Sequence, residues 1–145
     1  EGTDKLKKKD YDGAIESLTQ CLNQVRNFFC LQSRATAYAF KKDYKSALKD
    51  SDEAIAKNDE EPELLSLRAQ LRIRVIDGKD SLADLNNFFG ASLDLDRAIK
   101  LDPKNPRWHL ERAQVHCMKK EEKFLAKIEE QKVRELGGKV LEPCK

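Results

Sequence analysis

The chain has 145 residues, 39% hydrophobic and 37% charged, with only four prolines and six glycines, a balance that favours amphipathic helices over strands or disorder. Twenty-eight basic residues against twenty-six acidic ones leave a net charge of +2, with lysines interleaved among acids, so nucleic acid is not an implied partner. No apolar run approaches membrane-spanning length.

Glu1 is the first residue, no signal peptide is visible, and the opening residues read as a helix already under way, as in a fragment. Tyr11-x-x-Ala14 places an aromatic one turn before a small residue, and Cys21 follows seven residues later, which makes one helical face. The same spacing returns in Tyr44-x-x-Ala47 with Ala54, and in Phe88-x-x-Ala91 with Ala98. An arginine precedes a small alanine three times, at Arg34-Ala35, Arg68-Ala69 and Arg112-Ala113. Small residues at such points let neighbouring helices approach closely, while the aromatics fill hairpin corners. The chain is therefore built from repeats, and repeats of roughly 34 residues bury their apolar sides only by stacking.

Ala35 to Ala69 is a step of 34 and Ala69 to Ala113 a step of 44, so ten extra residues fall in the third unit, between its two helices. Asp77-Gly78 is a turn signal and Ser81-x-x-Asp84 a capping-box pattern, which predicts a long second helix from near Ser81 to Leu101. Leu82, Leu85 and Phe89 form a stripe on its extension, read first as packing on a neighbouring helix and second as an extra docking face. The fourth unit opens at Pro106-Arg107-Trp108. In its second helix Glu122 stands where the aromatic is expected and Lys132 where a small residue is, and Phe124, Leu125 and Ile128 supply one narrow apolar face. That helix reads as a polar cap on the stack, with a coiled-coil partner helix as the second reading. Gly137-Gly138 ends it, leaving residues 139–145 as a loose tail.

The pattern resembles the tetratricopeptide repeat, carried by Ala35-x-x-Tyr38, Tyr44-x-x-Ala47, Ala54-Ile55 and Ala98-Ile99-x-Leu101-Asp102-Pro103. The resemblance covers nearly the whole chain and implies an all-α superhelical solenoid of antiparallel helix hairpins. The expected units run over 1–26, 27–60, 61–104 and 105–138, as one domain over 1–138. Gly2 takes the slot filled later by Ala35, Ala69 and Ala113, so the first unit is expected to lack most of its opening helix, with upstream sequence cut away.

In arrays of this family the first helix of each unit lines an inner groove where extended peptides lie. Projected onto this chain, the groove begins at Thr3 and Lys7, continues through Gln32, Ser33, Thr36 and Phe40, and then takes in Ser66, Leu67, Gln70 and Arg74. Arg107, Leu110, Glu111, Gln114 and Met118 complete it. Glutamine, serine and threonine can pair with the free N–H and C=O groups of an extended peptide, and Phe40, Leu67, Leu110 and Met118 can receive its apolar side chains. One subtype of the family clamps a C-terminal carboxylate with lysine, asparagine and arginine. Here Thr3 and Ser33 stand at asparagine positions, and Glu63 and Leu67 where lysine and arginine belong; starting one unit later gives Leu67, Arg107 and Glu111. Capture of a chaperone tail is therefore not the favoured expectation.

Cys21, Cys30, Cys117 and Cys144 contain no C-x-x-C pair, and reduced thiols in a cytoplasmic protein are expected. His109 and His116 stand in no triad or zinc spacing, His116 takes the slot of Tyr38, and no glycine-rich phosphate loop occurs. The sequence thus reads as a protein-interaction module without enzymatic activity, metal or cofactor. Its expected partner is a protein or peptide, within a larger scaffold or co-chaperone-like protein. The alternative is an assembly module that packs on its own chain or self-associates, docking through the long helix of the third unit.

Overall fold

The computed structural model describes residues 1–25, 27–78 and 81–145. Among these residues there is no strand. The helices are α1 (Gly2–Lys7), α2 (Tyr11–Gln24), α3 (Phe28–Phe40), α4 (Tyr44–Lys57), α5 (Pro62–Arg74), α6 (Leu82–Leu101), α7 (Pro106–Cys117) and α8 (Lys123–Glu135), with a 3-10 turn at Lys120–Glu122. They pack as consecutive hairpins, α1 on α2 through α7 on α8. The first helices also touch in succession, α1 on α3, α3 on α5 and α5 on α7, whereas among the described residues the second helices do not pack on one another. Tight spacing on one side and wide spacing on the other curve the stack into a solenoid with a concave inner surface. The expected end of the first unit at residue 26, and residues 79 and 80 of the expected insertion, lie outside the described residues.

Alanines make this spacing possible. Ala14, Ala35, Ala47, Ala54, Ala91 and Ala98 are fully buried, as is Trp108, the one tryptophan. The hairpin corners close by a shared device. After α3 the Asp43 N–H reaches the Tyr38 carbonyl at 2.9 Å and the Lys42 N–H the Ala39 carbonyl, also at 2.9 Å, which is a Schellman turn. Asp43 then accepts from the Ser46 N–H and so caps α4. Lys9 and Asp10 repeat the arrangement between α1 and α2, with Asp10 accepting from the Gly13 N–H. Both turns need a left-handed residue, and lysine supplies it at φ 62° and 63°. Glycine takes that conformation at no steric cost, so Lys42→Gly is expected to raise stability by about 1 kcal/mol. Thermal unfolding of the variant beside Lys42→Val, which should lose stability, checks the sign.

Four sequence expectations are corrected. The cysteines are not reduced thiols: Cys21 pairs with Cys30 and Cys117 with Cys144, at Cα separations of 6.4 and 5.6 Å. Hairpin stacking brings together residues whose sequence spacing carries no pairing signal. The tail is not loose, because Cys144 anchors it to α7. The stripe of Leu82, Leu85 and Phe89 is not buried against a neighbouring helix; these residues are 74%, 39% and 55% exposed, and Phe89 meets the ammonium of Lys119 at 4.7 Å from its ring centroid. Finally, Phe124, Leu125 and Ile128 are exposed, and α8 instead buries Ala126, Glu129, Glu130 and Val133. The 3-10 turn explains the last difference. Ala35 to Ala47 spans 12 residues and Ala113 to Ala126 spans 13, so one added residue rotates the helix by a position and exchanges the buried face.

Candidate functional site

The inner groove depends on how α5 and α7 are held, and the recurrent arginines do this. Arg34 on α3 makes two hydrogen bonds to Asp50 on α4, at 2.7 and 2.8 Å, and a third at 3.0 Å to Thr19 on α2. Arg68 on α5 binds Asp94 on α6 at 2.9 and 2.6 Å and reaches Asp52 on α4 at 2.9 Å. Arg112 on α7 binds Glu129 on α8 at 2.5 Å and reaches back to Asp96 on α6. Each guanidinium thus joins the second helix of its own hairpin to that of the preceding one, a use suited to a planar fork of five donors. Burial draws the Arg68 and Arg112 pKa down, and hydrogen bonds and charge from Asp94 with Asp52, and from Glu129 with Asp96, outweigh it, leaving both above the ordinary arginine value. Hydrogen bonding to Asp50 raises Arg34 in the same direction. The clamps therefore stay charged on the arginine side across the accessible pH range.

Between α5 and α7 opens a cavity of about 530 Å³. Ala69, Ile73, Leu95 and Val115 give it an apolar floor, and Leu110 and Met118 an apolar flank. Gln70, Arg74, Arg107, Glu111 and Gln114 form its polar wall. Glu111 is already satisfied: Ser66 donates to one oxygen at 2.5 Å, and Gln70 and Arg107 to the other at 3.1 and 2.8 Å. This cluster bridges α5 to α7 and neutralises Arg107 locally. Arg74 also lines the cavity, is exposed, and makes no ion pair among the described residues.

The remaining groove positions lie elsewhere. Ser66 is fully buried beneath Glu111, and Leu67 packs against the core of the first hairpins. Gln32, Ser33 and Thr36 are half-buried on α3, where the Thr36 hydroxyl donates to the Gln32 carbonyl at 3.0 Å. Phe40 stacks on Tyr11 at 5.0 Å between ring centroids, at a hairpin corner. Thr3 and Lys7 are exposed on α1. Ile73, Leu95 and Val115 were not among the sequence-derived groove residues. Their apolar character marks them as core, and only the gap between α5 and α7 turns them into a floor.

Each histidine contacts a carboxylate. His109 Nδ1 lies 2.7 Å from Glu129 and His116 Nδ1 2.7 Å from Glu122. Among the described residues no group of three or more His, Cys, Asp or Glu side chains is arranged to hold a metal ion, and no helix is long and apolar enough to cross a membrane.

No family model matches the sequence, and no curated protein does. Solved structures match the fold. MamA from Desulfovibrio magneticus RS-1 superposes with a TM-score of 0.80 at 18% identity, over 94% of this chain and 71% of that one. A thermophilic tetratricopeptide-repeat protein of Thermus thermophilus, TTC0263, gives 0.77 at 16% identity, over 93% and 70%. The first tetratricopeptide-repeat domain of Spaghetti (RPAP3), bound to the HSP90 peptide SRMEEVD, gives 0.68 at 25% identity, over 79% and 83%. The chain has the tetratricopeptide-repeat fold.

Proposed function

From this fold we propose that the chain is a non-enzymatic protein-interaction module whose cavity between α5 and α7 takes an extended peptide from a protein partner. The observation that carries the reading is an apolar floor beside one uncommitted guanidinium, a pairing that suits a bulky apolar side chain next to an acidic one. The HSP90 peptide held by the Spaghetti domain is a precedent for a peptide on this fold. A clamp on a C-terminal carboxylate is less favoured here, because Arg107 is engaged by Glu111 and Leu67, where a clamp arginine would stand, is an apolar residue packed against the core. A larger scaffold or co-chaperone-like parent fits such a module.

The test uses a fluorescein-labelled pool of heptapeptides Gly-Ser-Z-Glu-Z-Ser-Gly, with Z as Leu, Met or Phe. Arg74→Glu together with Met118→Asp is expected to weaken pool binding at least about tenfold, since loss of one charge-assisted contact and one apolar contact is worth ~1.5–3 kcal/mol. Both side chains are exposed, so the fold is not at risk. Unchanged anisotropy titrations would overturn the assignment.

A second reading, self-association through the convex face, is favoured by Leu82, Phe89 and Leu93, which are 74%, 55% and 67% exposed on α6. Light scattering over a concentration series separates the two, because a stable dimer abolished by Phe89→Asp with Leu93→Asp belongs to the second. The cytoplasmic setting expected from the sequence rested on reduced thiols, and two disulfides remove that ground, since such bonds persist in oxidising compartments.

A further inference from the structure

We propose that residues 139–145 are a redox-released strap that closes the flank of α7 at the end of the peptide groove. The proposal rests on the groove reading above.

The path of the tail is set by contacts at both ends. Helix α8 stops in a Schellman turn, with the Gly138 N–H on the Val133 carbonyl at 2.8 Å and Gly137 left-handed at φ 79°. Gly138 is pressed against Pro106, the first residue of α7: a Cβ there would lie 2.7 Å from the Pro106 Cβ. Six residues later Cys144 is bonded to Cys117, the last residue of α7. An extended segment of that length spans about 20 Å and the helix from 106 to 117 about 16 Å, so the tail runs along the whole of α7.

Under the strap is a cavity of about 260 Å³ walled by Ala113, Cys117, Glu130, Glu142 and Cys144. Leu110, Gln114 and Met118 line both this cavity and the larger groove cavity, so the two are neighbours across α7. Besides the disulfide, Val140 is half-buried and the Cys144 N–H donates to Glu130 at 2.5 Å, while Leu141 is 86% exposed and Glu142 and Pro143 are exposed as well. With so few buried apolar contacts, attachment depends on the disulfide.

The two disulfides differ in setting. Each pair joins a buried cysteine, Cys30 or Cys144, to a half-buried one, Cys21 or Cys117; the difference is that Cys30 and Cys21 sit in and against the main hydrophobic core, whereas Cys117 and Cys144 both line an open cavity. A dithiol reductant therefore reaches Cys117–Cys144 first. Its thiolate attacks one protein sulfur, forms a mixed disulfide with it and expels the other as a thiolate. Its second thiol then attacks the reductant's own sulfur in that mixed disulfide and displaces the first protein sulfur, the reductant leaves as its cyclic disulfide, and its two protons end on Cys117 and Cys144. The freed tail uncovers the flank of α7, and a peptide in the groove can continue across Leu110, Gln114 and Met118.

The strap is tested on the full chain by hydrogen exchange, in oxidising buffer and at the dithiothreitol concentration where alkylation and mass spectrometry show Cys117 and Cys144 free but Cys21 and Cys30 still bonded. Amides of 140–145 are expected to exchange at least about tenfold faster once the bond opens, and Cys144→Ser should reproduce this without reductant. Circular dichroism of that variant establishes that the helices persist. The heptapeptide pool should bind about tenfold more tightly to the reduced protein and to Cys144→Ser than to the oxidised chain. A tail that stays protected after Cys117–Cys144 opens overturns the strap. A tail that is released with unchanged pool affinity overturns its control of the groove. Reduction that yields a dimer by light scattering, with no gain in pool binding, shows a second copy on the uncovered flank and overturns the peptide as occupant. Absence of pool binding in both redox states overturns the groove reading, while the exchange data still decide the strap.

Discussion

Arg34→Met is expected to destabilise the chain by about 3–5 kcal/mol, the range for removing one partner of a buried ion pair. Asp50 is 3% exposed, and Arg34 donates a hydrogen bond to each of its carboxylate oxygens. The variant leaves that carboxylate buried beside an apolar chain with no cation to pair it. Asp50→Leu added to Arg34→Met removes the stranded charge and should recover most of the loss. Urea unfolding of both variants measures this. A single variant within about 1 kcal/mol of the parent at neutral pH would mean that the arginine ladder contributes no more than a surface pair.

Trp108→Ala carries the second large effect, about 3–5 kcal/mol, because a fully buried indole leaves a cavity the surrounding helices cannot close. Trp108 packs with Leu64, Leu65 and Ala98 where the third hairpin meets the fourth, donates to Asp102 at 3.4 Å, and lies under the Arg107 guanidinium at 4.9 Å. Stability in a solenoid is carried by nearest-neighbour interfaces, so the loss should fall on α7 and α8 first. Hydrogen exchange is then expected to show residues 106–135 opening at a denaturant concentration where α3 and α4 remain protected. Uniform loss across the chain would mean that the stack unfolds as one unit and the interface is not the limiting one.

Much of the fold was legible because it is local and repeated. Aromatic, alanine and cap residues recur at fixed steps, and Ser81 marked the start of α6, where it accepts from the Asp84 N–H. The arginines were visible as a recurrence, but their partners were not, although an acid stands three residues after each alanine of the second helices, at Asp50, Asp94 and Glu129. Gln70, Arg74, Leu110 and Gln114, which the sequence set on one face of α5 and α7, line the cavity between these helices. The depth of that cavity was not legible, since depth depends on which apolar residues a neighbour leaves uncovered.

The helical class and the repeat pattern follow from the order of residues alone, because side-chain periodicity runs along single helices and each cap lies within a few residues of the end it closes. Packing in three dimensions was needed for the disulfides, the register of α8, the exposure of the α6 stripe and the course of the tail. Each of these depends on distances between residues remote in sequence: Cys21 meets Cys30 across two helices, Cys117 meets Cys144 over 27 residues, and one residue in a 3-10 turn exchanges the buried face of α8. Periodicity specifies a face, and only packing specifies what that face meets.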